Sequence, residues 1–90
     1  MQHVVIKAID MNETMKMKAL SMFFDAYQLN STDQSIAEFM KTSFDSFYGP
    51  TWHCIVGNQF SAFVTHIEGN FIYFISNYKA VMLFRSGIKI

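Results

Sequence analysis

A glycine-proline pair, Gly49-Pro50, sits between a stretch of helical periodicity and an aromatic-rich strand, and it constrains this chain more than any other feature. Proline has no amide hydrogen to give a helix and disfavours helical geometry in the residue before it, so the helix must stop there. The backbone then runs extended. Trp52, Cys54 and Val56 alternate with His53 and Ile55, and Gly57-Asn58 carries turn chemistry. Phe60-Ser61-Ala62-Phe63-Val64-Thr65-His66 alternates again, which predicts two strands around a very short connection.

The flanking segments fall into a simple order. Val4, Val5, Ile6 and Ile9 predict a short first strand, with Asp10 or Asn12 able to cap the helix that follows. From Glu13 to Tyr27, the residues Met15, Ala19, Met22, Phe23, Ala26 and Tyr27 recur at helical spacing and form a core-facing stripe. Met17, Leu20 and Phe24 form a second stripe on roughly the opposite side, where a solvated helix is polar, and mark an expected contact surface. Ser31-Thr32-Asp33-Gln34 has the form of a capping box, with Ser31 bonding an amide three residues on and Gln34 reaching back. Ile36, Phe39, Met40, Ser43, Phe44 and Phe47 then give the second helix its apolar side. Ile67 to Asn70 predicts a turn, Phe71 to Ile75 a strand, Ser76 to Lys79 a turn, and Ala80 to Phe84 the last strand. Phe71 to Ile75 is apolar on both faces, as in a central strand covered on both sides. The fold expected over residues 1–90 is a single α+β domain, two helices packed on an antiparallel sheet in the order β-α-α-β-β-β-β.

Composition points outward from this small fold. The chain is 51% apolar, with ten Phe and seven Met in 90 residues, more than so small a core absorbs, so part of it should face a partner. Phe60 to His66 has no Lys, Glu or Pro to guard a sheet edge, which predicts pairing with another chain. Seven basic residues balance seven acidic ones without clustering, which argues against nucleic-acid or anionic-membrane partners. No apolar run approaches the roughly 20 residues of a membrane span. A soluble intracellular protein is expected, and a single cysteine, Cys54, fits a reducing compartment. His53 beside Cys54 suggests a base and a nucleophile, but neighbours on a strand point to opposite faces, so Cys54 reads as a small buried hydrophobe. His3, His53, Cys54 and His66 lack the paired spacing of zinc ligands, and no glycine-rich phosphate loop is present. Neither catalysis, metal nor cofactor is therefore expected. His53 has two readings: a hydrogen-bonded structural residue, or an interface residue whose protonation would carry a desolvation penalty.

With these residues set out, the chain resembles the hub-type dynein light chain family, distinct from the Tctex and Roadblock types. The resemblance spans nearly the whole chain and rests on Lys7-Ala8-Ile9-Asp10-Met11, Ile36-Ala37, Phe44-Asp45, Pro50-Thr51-Trp52-His53-Cys54-Ile55-Val56-Gly57, Phe60, Val64-Thr65-His66, Phe71-Ile72-Tyr73-Phe74 and Leu83-Phe84-Arg85-Ser86-Gly87. It implies a dimer in which Phe60 to His66 leaves its own subunit and pairs with the other's sheet, creating two grooves that each take an extended client segment as an added strand. Carried over position by position, the peptide-binding residues would be Gln34, Ser35, Phe60, Ala62, Phe63, Val64, Thr65, His66, Phe71, Tyr73 and Ile75. The dimer interface would include His53, Phe60, Ser61, Phe63, Thr65 and Ser86. Implied partners are dynein intermediate chains, other disordered client peptides, and a second light chain, identical or paralogous. The implied role is a noncatalytic motor subunit promoting complex assembly for microtubule-based movement, in the cytoplasm and on the cytoskeleton or in the axoneme of a cilium or flagellum. A dynein-independent dimerisation hub for disordered partners is the alternative.

The chain also departs from the family pattern. Ser61-Ala62-Phe63 stands where Gly-Ser-Tyr is usual, Ile75 replaces a groove Tyr, and Gln34-Ser35 replaces a Lys-Asp pair at the helix start. Hydroxyls are lost from the pocket, which implies a specialised member, of axonemal type, with a narrower client set.

Overall fold

A computed structural model describes residues 3–30, 32–58 and 66–87. Its elements are β1 (Val4–Asp10), α1 (Glu13–Leu29), α2 (Asp33–Tyr48), β2 (Trp52–Gly57), β3 (Phe71–Ser76) and β4 (Lys79–Arg85). The strands form one antiparallel sheet in the order β1-β3-β4-β2, with two helices packed on it, as the α+β reading expects. The further strand expected over 60–66 lies outside the described residues except for His66, which is described outside any strand.

Local chemistry sets the helix ends. Asn12, not Asp10, caps α1: its Oδ1 accepts from the Met15 amide at 2.8 Å, while Asp10 ends β1. The helix continues past Tyr27 to Leu29, and the Asn30 side-chain amide closes it by donating to the Ala26 carbonyl at 2.9 Å. Thr32 caps α2, accepting from the Ser35 amide at 3.0 Å, one residue later than the expected Ser31, which lies outside the described residues. With the helix starting at Asp33, the position three beyond the cap is Ser35. Its hydroxyl, 2.8 Å from Thr32 Oγ1, stands where Gln34 was expected to reciprocate. At the other end of α2, Gly49 adopts φ 85° and ψ 151°, a region that is essentially glycine-only, and donates to the Asp45 carbonyl at 2.9 Å.

The core lies between the helices and one face of the sheet. Ala19, Phe23 and Ala26 from α1 and Ile36, Met40 and Phe44 from α2 pack with Trp52, Ile72, Phe74, Val81 and Leu83. Edge-to-face pairs lock it: Phe44 on Trp52 with ring centroids 4.8 Å apart, and Phe23 on Phe74 at 5.5 Å. Two residues of the expected apolar stripes stay outside. Tyr27 is 38% and Phe47 56% exposed. Lys18 of α1 places its ammonium 3.9 Å over the Phe47 ring, a cation–π contact in place of core packing. β3 is central as expected, but its cover is unequal. Ile72, Phe74 and Ser76 are buried beneath the helices, whereas Phe71, Tyr73 and Ile75 on the far face are only half-buried.

These positions predict opposite outcomes for two phenylalanines of one helix. Phe44→Ala should lose roughly 3–5 kcal/mol by opening a cavity beside Trp52, and Phe47→Ala about 1 kcal/mol or less. Urea unfolding followed by tryptophan fluorescence measures both.

Candidate functional site: an open sheet face and a strand edge

Side chains alternate across a strand, so the pairing register identifies which residues share the face turned away from the helices. Val5 lies opposite Ile75, Tyr73 opposite Met82 and Met82 opposite Ile55, while Phe71 pairs with Phe84 and Phe84 with His53. The result is a second apolar face on a sheet that already has its helices on the first. The His53 ring stacks on Phe84 at 5.2 Å, and its Nε2 is 3.0 Å from Ser86 Oγ. The two described residues that the family resemblance places in a dimer interface are thus hydrogen-bonded neighbours.

β2 is the edge of this sheet and pairs only with β4 among the described residues. A cleft of about 560 Å³ runs between that edge and α2, lined by Gln34, Ala37, Glu38 and Lys41 on the helix and by His53, Cys54, Ile55 and Phe84 on the sheet. Gln34 is exposed in the first turn of α2. Ser35 is half-buried and its amide is already held by Thr32.

Two charged residues fix the edge relative to the helix. Asp45 Oδ1 accepts from the Trp52 amide at 2.8 Å, and its Oδ2 pairs with the Lys41 ammonium. Burial alone would raise the Asp45 carboxyl, but the Lys41 ammonium and the Trp52 amide outweigh it and hold the group below its ordinary 3.8. Arg85 Nη2 donates to the Tyr48 carbonyl at 2.7 Å and its Nε to the Pro50 carbonyl at 3.3 Å, tying β4 to the end of α2. From sequence, Asp45 is named only within the Phe44-Asp45 motif, with no contact assigned to it. A carboxylate in the last turn before Gly-Pro was the available signal.

The remaining candidate residues separate. Phe71, Tyr73 and Ile75 lie together on the open face, with His66 stacked 4.8 Å from Phe71. Phe60, Ser61, Ala62, Phe63, Val64 and Thr65 lie outside the described residues. Met17 (56% exposed), Phe24 (38%) and the half-buried Leu20 line a separate cleft of about 310 Å³ between α1 and the sheet. Cys54 and His53 face opposite sides of β2, as their partners Leu83 and Phe84 require. Cys54 is half-buried against the core, and desolvation pushes its thiol up to about 12, so it stays protonated at neutral pH. Among the described residues, no three metal-capable side chains converge.

The lowered Asp45 group predicts an acid-sensitive junction. A carboxylate whose folded value lies below its unfolded one adds stability above the unfolded value and loses it as pH falls through the folded value. Asp45→Asn should therefore cost on the order of 1 kcal/mol at neutral pH and flatten the loss of stability below about pH 4. Denaturant midpoints measured across pH 2 to 7 for both proteins check this.

Comparison with known proteins agrees with the geometry. The family model described as dynein light chain type 1 matches residues 3–86. A dynein light chain of Schistosoma mansoni is 45% identical over 83 residues, covering 92% of this chain and 93% of its own. A cytoplasmic dynein light chain of Emericella nidulans is 41% identical over 81 residues, covering 90% and 86%. Among solved structures, the dynein light chain-like domain of a Fasciola hepatica calcium binding protein superposes with a TM-score of 0.79 at 19% identity, covering 94% of this chain and 93% of that one. That similarity concerns the fold alone, whereas the sequence matches run through both helices and every described strand. The chain belongs to the dynein light chain family.

Proposed function

We propose that this protein is a noncatalytic, dimerising dynein light chain that gathers extended segments of dynein intermediate chains by strand addition and so promotes motor assembly in the cytoplasm and on the cytoskeleton. The observation that carries this reading is the β2 edge, unpaired along its outer side among the described residues and walled by α2 across a cleft. Unpaired strand edges template pairing with another chain. Segment 60–66 of a second copy supplies the first added strand, and a client segment adds the next. The apolar far face, from Val5 and Ile75 to Ile55 and Phe84, gives the two copies a surface to bury.

Client choice follows from side chains around the groove. Backbone hydrogen bonds worth roughly 0.5–1.5 kcal/mol net each give affinity that tolerates sequence variation. Ile75, Ala62 and Phe63 offer no hydroxyl where the family pattern has Tyr or Ser, so a client group relying on one loses about 1–3 kcal/mol. This narrows the client set and supports a specialised, axonemal member. The Met17, Leu20 and Phe24 surface of α1 would meet a neighbouring light or intermediate chain.

Two experiments test the reading. An intermediate-chain peptide titrated calorimetrically should bind one per subunit, and N-methylation at alternate residues should weaken it roughly 2- to 10-fold per lost bond, with no effect at intervening ones. Failure of any intermediate-chain segment to bind rejects strand addition. An imidazole in a subunit interface gains charge on acidification and must then be desolvated. The wild-type dimer should accordingly dissociate in mild acid while a His53→Gln dimer persists, both followed by sedimentation velocity.

A further inference from the structure

β4 opens with a lysine on the covered side of the sheet. Lys79 pairs with Ser76 across the β3–β4 hairpin, and Ser76 is buried beneath the helices, so Lys79 shares that face with the core residues Val81 and Leu83. A charged group leaving water there needs partners. Its ammonium reaches two of them: Asp33 Oδ1 at 2.9 Å, in the first turn of α2, and Asn58 Oδ1 at 3.0 Å, immediately after β2. One side chain thus ties the start of the second helix to the end of the edge strand. A second tie lies farther along the same helix. The helix lines the cleft beside β2 from Gln34 to Lys41; Asp33 immediately precedes that stretch, and Lys41 at its other end pairs with Asp45, which accepts from the Trp52 amide.

We propose that Lys79 is a positioning residue of this cleft: it fixes the first turn of α2, and Gln34 with it, at the distance from β2 at which an added strand fits. The inference rests on the strand-addition reading above. Ile36 and Met40 hold the lining stretch of α2 against the core, but hydrophobic burial is non-directional and sets no separation between helix and strand edge. The polar ties at the two ends supply it. The Lys79–Asp33 pair, with side chains 25% and 38% exposed, is too weak to hold the fold and is screened by salt. Its effect is confined to one helical turn, so it alters binding even of a client that carries no charge. In the sequence Lys79 belongs only to the turn before the last strand, since nothing in its spacing shows that the hairpin brings it to Asp33.

The test has two independent readouts. In the free protein, the amides of Ser35, Ile36 and Ala37 should exchange hydrogen about 2- to 5-fold faster in Lys79→Met than in wild type. Those of Phe44 and Asp45 should be unchanged, Lys79→Arg should restore protection, and the denaturant midpoint of Lys79→Met should stay close to that of wild type. An intermediate-chain peptide with its charged residues replaced by Gln, titrated calorimetrically, should bind wild type about 2- to 5-fold more weakly at about 0.5 M salt than at about 0.02 M. Lys79→Met should bind it at the weaker value in both. Equal exchange in Lys79→Met and wild type, an unchanged affinity and salt dependence, or a collapse of the denaturant midpoint overturns the proposal while leaving strand addition standing. Absence of all peptide binding overturns strand addition, and the positioning role of Lys79 with it.

Discussion

The junction between α2 and β2 holds the rest of this molecule in place. Gly49 ends the helix in a conformation open to glycine alone, and three residues later the chain enters a strand whose first side chain, Trp52, is fully buried against Phe44. Three polar contacts fix the angle: Asp45 on the Trp52 amide, and Arg85 on the carbonyls of Tyr48 and Pro50. Each satisfies a backbone group that the helix end or strand start would otherwise leave without a partner. Aromatic burial supplies the driving force, and the hydrogen bonds supply direction. Together they set β2 beside α2 with a cleft between them.

That placement leaves the fold asymmetric. Helices cover one face of the sheet, while the other carries Val5, Ile55, Phe71, Tyr73, Ile75, Met82 and Phe84. A lone domain of this size has little apolar surface to spare for exposure. Among the described residues β2 is also an edge of the sheet, adjacent to this apolar face. In the dimer proposed above, hydrophobic burial and backbone pairing would act on the same partner.

Much of the fold was legible because it rests on short-range rules. Periodicity placed both helices and the described strands within about two residues, and Gly49-Pro50 located the end of α2. The errors have two sources. Phe47 and Tyr27 keep helical phase with the core residues, yet both stay exposed. Periodicity gives a direction around the helix axis, not the extent of the surface it meets. Both Ser31 and Thr32 carry a hydroxyl suited to capping, so composition alone did not separate them; Thr32 is the residue whose extended backbone precedes the helix and whose hydroxyl accepts from Ser35.

Of the candidate site, His53, Ser86, His66, Phe71, Tyr73 and Ile75 were reached through family likeness, and the tertiary structure adds how the described ones are held. By itself the sequence determined the order of elements, the stop at Gly49-Pro50 and the two-sided apolar character of Phe71 to Ile75, all of which follow from local sterics and patterning, and its motifs carried the family resemblance. Only the tertiary structure decided that His53 meets Ser86, that Asp45 and Arg85 brace the edge strand, and that Asp10 reaches His66 and Gly69. Most of these contacts join residues far apart in the chain, and sequence spacing carries no information about which polar groups a folded sheet will bring within hydrogen-bonding distance.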